Sequence, residues 1–244
     1  MGIEKLTELK TIASPDLGNS LFLSLLRLEL HRAESQTLET GEREHVMDVL
    51  SGQYRTAVTP VGGDAVRYGP VGKRADIFSG RQELAYVPRD SVRGIECVES
   101  PLEAVIYAAP TDEAAAPAYI AAEQIRVITS GVSHWQREVF IGMGEEEPAT
   151  RIMVGETESP PGSLSGFPRH RHTEDNPPDE LAMEEPYYLY IHSPDGLVIG
   201  GTYQDLARKE QTAEPTIYRD GQAFDVPGRY HLITPCPGYR VRYT

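Results

Sequence analysis

The sequence predicts an all-β protein built from two tandem β-barrels or sandwiches, and three observations support this fold class. Short apolar segments alternate with turn signals along the whole chain, and long helical patterns are scarce. The 22 glycines, 19 prolines and 13 tyrosines suit many strands joined by turns. The 244 residues are also enough for two barrels of about a hundred residues each.

The first barrel is predicted to occupy residues 1–120. Residues 1–20 are polar and broken by proline and glycine, so we expect an arm outside the sheet. In residues 21–31, leucines alternate with charged residues, and this period of two favours a strand over a helix. Further segments indicate two strands and then an Ala/Pro-rich connector, at residues 83–87, 104–107 and 110–117.

The second barrel is predicted to occupy residues 121–244. Its first strand, at 125–129, crosses between the two halves. An acidic, proline-rich segment at 173–183 lacks the ligand spacing of a calcium loop, so we expect a solvated loop with Glu180 exposed. The other strands are expected at residues 152–154, 167–172, 187–191, 197–203, 223–226 and 239–243.

The formal net charge of −14 argues against partners that are themselves anionic. Nucleic acids and anionic membrane surfaces attract cationic faces, and no such face is visible in the sequence. The two cysteines, Cys97 and Cys236, are far apart and form neither a disulfide framework nor a thiolate metal site. Because signal-peptide and membrane-spanning patterns are lacking, we expect a cytoplasmic protein.

Four residues of the second half have the chemistry of a metal site. His170 and His172 are two residues apart, so on a strand both imidazoles would point to the same side. Glu185 begins the next apolar strand, and His231 follows a strand and a Pro-Gly turn. Three imidazoles and one carboxylate suit one divalent transition metal, such as zinc, manganese or iron.

Each of these residues alone has a simpler explanation. A His-x-His pair can lie on the surface, His231 can be a core or loop histidine, and Glu185 can be the solvated end of a strand. Their combination and order favour a metal site over these explanations. The remaining histidines have no such partners, and we interpret them as structural or surface residues: His31, His45, His134 and His192.

Several segments resemble one known family, and together they extend from about residue 21 to the end of the chain. In the first half they are residues 38–44, 50–52 and 86–89, followed by a junction at 135–139. In the second half they are residues 154–156, 170–172, 174–178, 184–188 and 226–231, where an acidic loop precedes a Glu-Glu and a Tyr-Tyr pair. The chain therefore resembles the 5-deoxy-glucuronate isomerase family of bacterial inositol catabolism, which has two cupin barrels.

The resemblance implies that the metal site lies in the second cupin barrel and that the partner is a small sugar acid. It implies aldose–ketose isomerisation of 5-deoxy-glucuronate to 5-dehydro-2-deoxy-gluconate. In the first barrel, residues 41–45 contain no His-x-His pair and Val92 stands roughly where a third histidine ligand would lie, so we expect no metal there. In the second, Glu185 and Tyr187 share one face of a strand and are the candidate catalytic residues.

Residues expected in the pocket walls depart from the family's pattern. The departures are Leu164, Thr173, Pro186, Leu189, Tyr190, Gly200 and Gly201. Three alternatives therefore stay open: an isomerase of another uronate, a sugar-acid binding or regulatory cupin, and an oxygenase that needs a redox-active metal. The sequence does not identify the general base or the cation that meets the substrate carboxylate, and it is compatible with a homo-oligomer.

Overall fold

The computed structural model describes residues 8–18, 20–204, 215–226 and 228–244. Strands dominate this part of the chain, and its helices are three 3-10 turns, at Pro15–Leu17, Ala122–Gln124 and Ser133–Trp135. The predicted all-β class is therefore confirmed. Within these ranges no helix has the length and apolar character needed to cross a membrane.

The chain forms two compact units, and each is assembled from separate segments. The first contains the described residues up to Ser14, together with Phe22–Arg126 and Ile141–Gly155. The second contains the described residues of Pro15–Leu21, Val127–Phe140 and Glu156–Thr244. The predicted division into barrels at residue 120 stays a prediction.

The first unit contains an eight-stranded antiparallel sheet. The strands are β1 (Glu8–Ala13), β2 (Ser24–Leu30), β3 (Ser35–Glu39), β4 (Arg43–Pro60), β5 (Val66–Val71), β6 (Leu84–Val87), β7 (Ser91–Pro110) and β8 (Ala118–Ile120). Their order is β1-β2-β7-β4-β6-β8, with β3 also paired to β7 and β5 to β4. Apolar side chains of these strands fill the interior, among them Leu28, Met47, Tyr54, Ile95 and Ile106.

The start of the chain differs from the prediction. Strand β1 pairs antiparallel with β2, and Leu9 lies opposite Leu28. This pairing satisfies backbone donors and acceptors that would otherwise line an open sheet edge. The expected arm is therefore wrong for residues 8–13, and residues 1–7 lie outside the described residues. The strand predicted at residues 21–31 is confirmed as β2.

The expectation for Val92 is also wrong. Val92 is 41% exposed, whereas Arg93 is 0% exposed. Because successive residues of a strand point to opposite faces, Arg93 shares the inward face of β7 with Ile95 and Cys97, which both belong to the core. The interior position is thus occupied by a cation, whose Nη2 donates a hydrogen bond of 3.1 Å to the hydroxyl of Tyr54.

The other nine strands form two sheets. They are β9 (Arg126–Ser130), β10 (Arg137–Met143), β11 (Val154–Ser159), β12 (Glu185–Ile191), β13 (Val198–Tyr203), β14 (Thr216–Tyr218), β15 (Ala223–Val226), β16 (Tyr230–Pro235) and β17 (Val241–Tyr243). Their orders are β15-β12-β17-β11-β10-β9 and β14-β13-β16. The core of the second unit includes Tyr187, Leu189, Phe224, Ile233 and Tyr243.

Three local expectations in the second half are wrong. Residues 167–172 form no strand, since Pro168 has no N–H to donate and only isolated backbone hydrogen bonds hold this segment. Strand β11 begins at Val154, so the two residues before it are not part of a strand. Glu180 is not exposed: its side chain is 13% accessible and accepts hydrogen bonds from the backbone N–H groups of Thr173 and Glu174.

Candidate metal centre

Three histidines of the second unit converge on one point. The nearest ring nitrogens of His170, His172 and His231 all lie within 4.8 Å of one another. The ring of His170 is 5.3 Å from that of His172 and 4.7 Å from that of His231, measured between centroids. His231 is buried, with 2% of its side chain exposed, whereas the other two face solvent in part. The histidines therefore form a group that could hold a metal ion.

Glu185 lies beside this group, as the sequence predicted. Its Oε2 atom is 3.4 Å from Nε2 of His172 and 3.5 Å from Nε2 of His231. Oε2 is buried and accepts no hydrogen bond from the described residues. A buried carboxylate oxygen without a donor is costly unless a cation compensates it. The position thus suits an oxygen ligand of a metal.

The spacing of these donor atoms can be compared with that of a real metal site. Ligand atoms about 2.1 Å from a zinc-like ion in tetrahedral geometry lie about 3.4 Å apart. The two distances from Glu185 to the imidazole nitrogens match this spacing. The nearest imidazole nitrogens lie within 4.8 Å of one another, on the same side of the carboxylate. The residues present therefore fit a divalent transition metal.

The two strands that carry Glu185 and His231 place them at one end of the apolar interior. On β12, Glu185 shares a face with Tyr187 and Leu189, and the latter two belong to the core. On β16, His231 shares a face with the buried Ile233. Both side chains therefore point inward at corresponding ends of their strands, with apolar packing on one side.

The segment that carries His170 and His172 lies against β16 without forming a strand. Ser165 and Ile233 exchange two backbone hydrogen bonds, of 2.8 and 3.2 Å. Gly166 approaches β16 so closely that a Cβ atom at this position would lie 2.4 Å from the carbonyl oxygen of His231. Only glycine permits this approach, because it has no Cβ atom. The φ of +87° at this position also disfavours other residues.

The far end of this segment is fixed in a similar way. The N–H of His172 donates to the carbonyl of Gly228 at 3.2 Å, and the N–H of Met183 donates to the carbonyl of His172 at 3.1 Å. Nδ1 of His170 lies 2.8 Å from the carbonyl oxygen of Pro168. A hydrogen bond from Nδ1 to this carbonyl leaves Nε2 of His170 as the metal-facing nitrogen.

The electrostatics of the group favour an ionised carboxylate. Burial opposes ionisation of Glu185, but the contacts with His172, His231 and Tyr187 hold its pKa below the usual value. The contact with Glu185 raises the pKa of His172, although burial opposes this. Burial lowers the pKa of His231, and the neighbouring His170 and His172 lower it further. A negative carboxylate beside a neutral buried imidazole is the donor state that a cation needs.

The second candidate catalytic residue, Tyr187, contacts both Glu185 and His231. Its hydroxyl lies 2.5 Å from Oε1 of Glu185 and 3.1 Å from Nε2 of His231. The Tyr187 ring packs against Phe224 and Tyr243, with centroid distances of 5.0 Å in both cases. Glu185 and Tyr187 therefore lie on one face of β12, and a direct hydrogen bond joins their side chains.

The sequence assigned five residues to the site, with Glu185 as both a metal ligand and a catalytic residue, and the structure brings all five together. The structure adds two residues that the sequence did not single out, Ser165 and Tyr243. The hydroxyl of Tyr243 lies 2.6 Å from that of Ser165, at the start of the histidine segment. The alternation of Val241 and Tyr243 indicated a strand, but not what its inward residues touch. Of the turn before His231, Pro227 lies outside the described residues.

Comparison with known proteins identifies the family of this chain. A family model described as the KduI/IolB family matches residues 12–244, nearly the whole chain. The chain belongs to the KduI/IolB family. The resemblance seen in the sequence is therefore confirmed.

Relatives of this KduI/IolB chain carry an enzyme name. A protein of Geobacillus kaustophilus named 5-deoxy-glucuronate isomerase is 28% identical over 214 residues, which are 86% of this chain and 74% of that one. A protein of Bacillus subtilis strain 168 with the same name is 24% identical over 241 residues, 98% of this chain and 84% of the other. These names indicate an enzyme of the isomerase class.

Two solved structures share the architecture of this chain. An IolB-like protein from Salmonella typhimurium superposes with a TM-score of 0.86 at 22% identity, covering 96% of this chain and 86% of the other. Oxalate decarboxylase from Lactobacillus farciminis gives a TM-score of 0.70 at 12% identity, covering 100% and 82%. Both share the fold, and the predicted cupin architecture is confirmed.

Proposed function

We propose that this KduI/IolB chain is a metal-dependent aldose–ketose isomerase that converts 5-deoxy-glucuronate, or a closely related deoxy-uronate, to the corresponding ketose. The observation that carries the proposal is the unsatisfied Oε2 of Glu185, which faces two imidazoles 3.4 and 3.5 Å away. The names of the relatives supply the reaction and the substrate class. In this proposal the protein acts in the cytoplasm and binds no nucleic acid.

The proposed ligands are His170, His172, His231 and Glu185. Imidazole nitrogen and carboxylate oxygen together suit manganese, zinc or iron in the divalent state. Manganese has support from a fold neighbour, because the Bacillus subtilis oxalate decarboxylase is described with Mn(II) centres. That neighbour shares 12% identity and a TM-score of 0.63, so it supports the choice of metal through the fold alone.

The side chains around the centre would orient the reacting end of the sugar and manage its protons. When bound, a divalent ion supplies Lewis-acid polarisation of a carbonyl oxygen. Tyr187 remains a protonated phenol, because burial and the negative charge of Glu185 raise its pKa well above the usual value. It can therefore donate a hydrogen bond to Glu185 or to a substrate oxygen. Ionised Glu185 provides the negative charge of the site.

Two of the residues that depart from the family's pattern, Leu189 and Gly200, lie in different environments. Leu189 is 0% exposed and lies in the core beside Tyr187, so it cannot contact a substrate directly. Gly200 faces the rings of Tyr218 and Phe224, which a Cβ atom would approach to 3.3 and 3.5 Å. These aromatic rings fill the space that a larger residue would need at this position.

The test is incubation of metal-loaded protein with 5-deoxy-glucuronate and several other uronates, followed by NMR detection of the ketose. We expect reversible conversion that a chelator abolishes and that a divalent metal restores. Heat-inactivated protein with the same metal controls for metal-catalysed isomerisation in solution. If the loaded protein binds a uronate and leaves every one unconverted, the chain is a sugar-acid binding module and the isomerase proposal fails.

A further inference from the structure

Arg137 is a half-buried cation in the second unit, at the start of β10. Its Nη1 donates to the carbonyl oxygen of Phe167 at 3.3 Å and to that of Trp135 at 3.4 Å. In the part of the chain that the structure describes, no carboxylate forms an ion pair with this guanidinium. Because a guanidinium has five N–H donors, most of the donors of Arg137 have no protein acceptor there.

Arg137 contacts the backbone just before His170. Phe167, whose carbonyl accepts from Arg137, precedes Pro168, whose carbonyl lies 2.8 Å from Nδ1 of His170. The ring of Trp135 packs edge-to-face on that of Phe167 at 5.1 Å, which holds the peptide in place. Arg137 therefore lies beside the backbone that orients a histidine of the centre.

The two cations of the histidine segment itself, Arg169 and Arg171, have other contacts. The Nε of Arg171 is 3.0 Å from Glu180, and its Nη2 is 4.0 Å from Glu174. Arg169 is exposed, and its guanidinium lies over the ring of Tyr230 at 5.9 Å. Arg171 is thus paired with carboxylates and Arg169 lies on an aromatic ring, whereas Arg137 contacts the backbone of the histidine segment without a protein carboxylate among the described residues.

We infer that Arg137 binds the carboxylate of the sugar-acid substrate, an inference that rests on the proposed function. An open-chain uronate carries its carboxylate at the end opposite to the reacting carbonyl, so a site that holds both ends needs a metal and a separate cation. The guanidinium fork pairs with a carboxylate through two parallel hydrogen bonds, which a lysine ammonium cannot reproduce. Nη1 is occupied by the two carbonyls, and the Nε and Nη2 donors remain for the substrate.

The experiment measures binding and turnover separately, in metal-loaded wild type, Arg137→Gln and Arg137→Lys. Calorimetry with 5-deoxy-glucuronate should show affinity about tenfold to a hundredfold weaker for Arg137→Gln, with Arg137→Lys between it and wild type. The neutral methyl ester should bind the wild type and Arg137→Gln with similar affinity. Arg219→Gln removes a charge from an exposed turn of the same unit and should bind like wild type.

Metal content decides between carboxylate binding and a purely structural role. If Arg137 only supports the Phe167 peptide, Arg137→Gln should lose metal, and the acid and the ester should be affected equally; this result overturns the inference. A wild type that binds no uronate, or an Arg137→Gln variant that binds the acid as tightly as wild type, also overturns it. Absence of turnover together with Arg137-dependent binding refutes the isomerase proposal and leaves the inference standing.

Discussion

The hydroxyl of Tyr187 donates a hydrogen bond of 2.5 Å to Oε1 of Glu185, its neighbour on the same face of β12. The other oxygen of that carboxylate, Oε2, faces His172 and His231. The two oxygens therefore have different partners, and the hydrogen bond fixes which of them points to the histidines. Ordering a ligand by such an outer contact is common at metal sites in proteins.

The first prediction concerns this hydrogen bond. Tyr187→Phe removes the hydroxyl and keeps the ring that packs between Phe224 and Tyr243. We expect kcat to fall about tenfold to a hundredfold, because a hydrogen bond to a charged group is lost. Metal content should stay near that of wild type when metal is in excess. Unchanged kcat would mean that the hydroxyl neither orients Glu185 nor assists the substrate.

The second prediction concerns the number of metal ions. The described residues contain one group of three converging histidines, so we expect one transition metal per chain. His231→Ala should remove most of this metal, whereas His134→Ala, an exposed histidine outside the group, should not. Elemental analysis of dialysed protein measures both. Folded wild type that remains metal-free after reloading would contradict the site, and a second ion bound by the first unit would contradict the count.

The third prediction concerns the charge of the carboxylate ligand. Glu185→Gln preserves size and removes the negative charge, so metal affinity should weaken at least about tenfold and turnover should fall with it. Asp179→Asn is the matched control, because it removes a carboxylate from the exposed part of the acidic loop. Glu180 is unsuitable as a control, since it accepts two backbone N–H groups and binds Arg171. Equal metal affinity in Glu185→Gln and wild type would remove Glu185 from the ligand set.

The fourth prediction is that metal affinity falls as the pH decreases through the histidine range near 6.5. Protons compete with the metal for imidazole nitrogens. His172 should be most sensitive, because its contact with Glu185 raises its pKa and therefore stabilises the competing proton. Competition titrations with a chelating indicator at several pH values measure the effect. Constant affinity between pH 7.5 and about 5.5 is incompatible with three histidine ligands.

Part of the candidate metal centre was predictable from sequence because it is local. Glu185 and Tyr187 are two residues apart on a strand, and the period of two alone places them on one face. His170 and His172 do converge, but the predicted reason is wrong, since their segment is not a strand. What holds this segment against β16 is the close approach at Gly166, a contact with a residue far away in sequence.

Register and long-range contacts account for what the sequence did not reveal. Val92 was expected only roughly where a third histidine ligand would lie, and the buried residue there is the next one, Arg93; in a strand, a shift of one residue exchanges the two faces. The contact of Arg137 with the carbonyl of Phe167 joins positions 30 residues apart, and no local pattern encodes it. Such contacts depend on how separate strands pack, which is a property of the whole unit.

His45 of the first unit gives a prediction about stability. Burial, together with the positive charges of Arg93 and Arg43, lowers the pKa of His45 from 6.5 to about 4. Between these values the unfolded chain binds a proton at His45 and the folded protein does not. The unfolded state therefore gains stability as the pH falls from 6.5 to 4, and the free energy of unfolding decreases by up to about 3 kcal/mol.

The matched variant for this effect is His45→Phe, which has a similar planar shape and cannot titrate. Denaturant unfolding of wild type and variant at several pH values between 7 and 4 gives the difference in their free energies of unfolding. Taking this difference removes the contributions of carboxylates and metal ligands, because both proteins contain them. It should be constant above pH 6.5 and then shift in favour of the variant as the pH falls. A difference that is independent of pH would show that His45 becomes protonated equally in the folded and unfolded states.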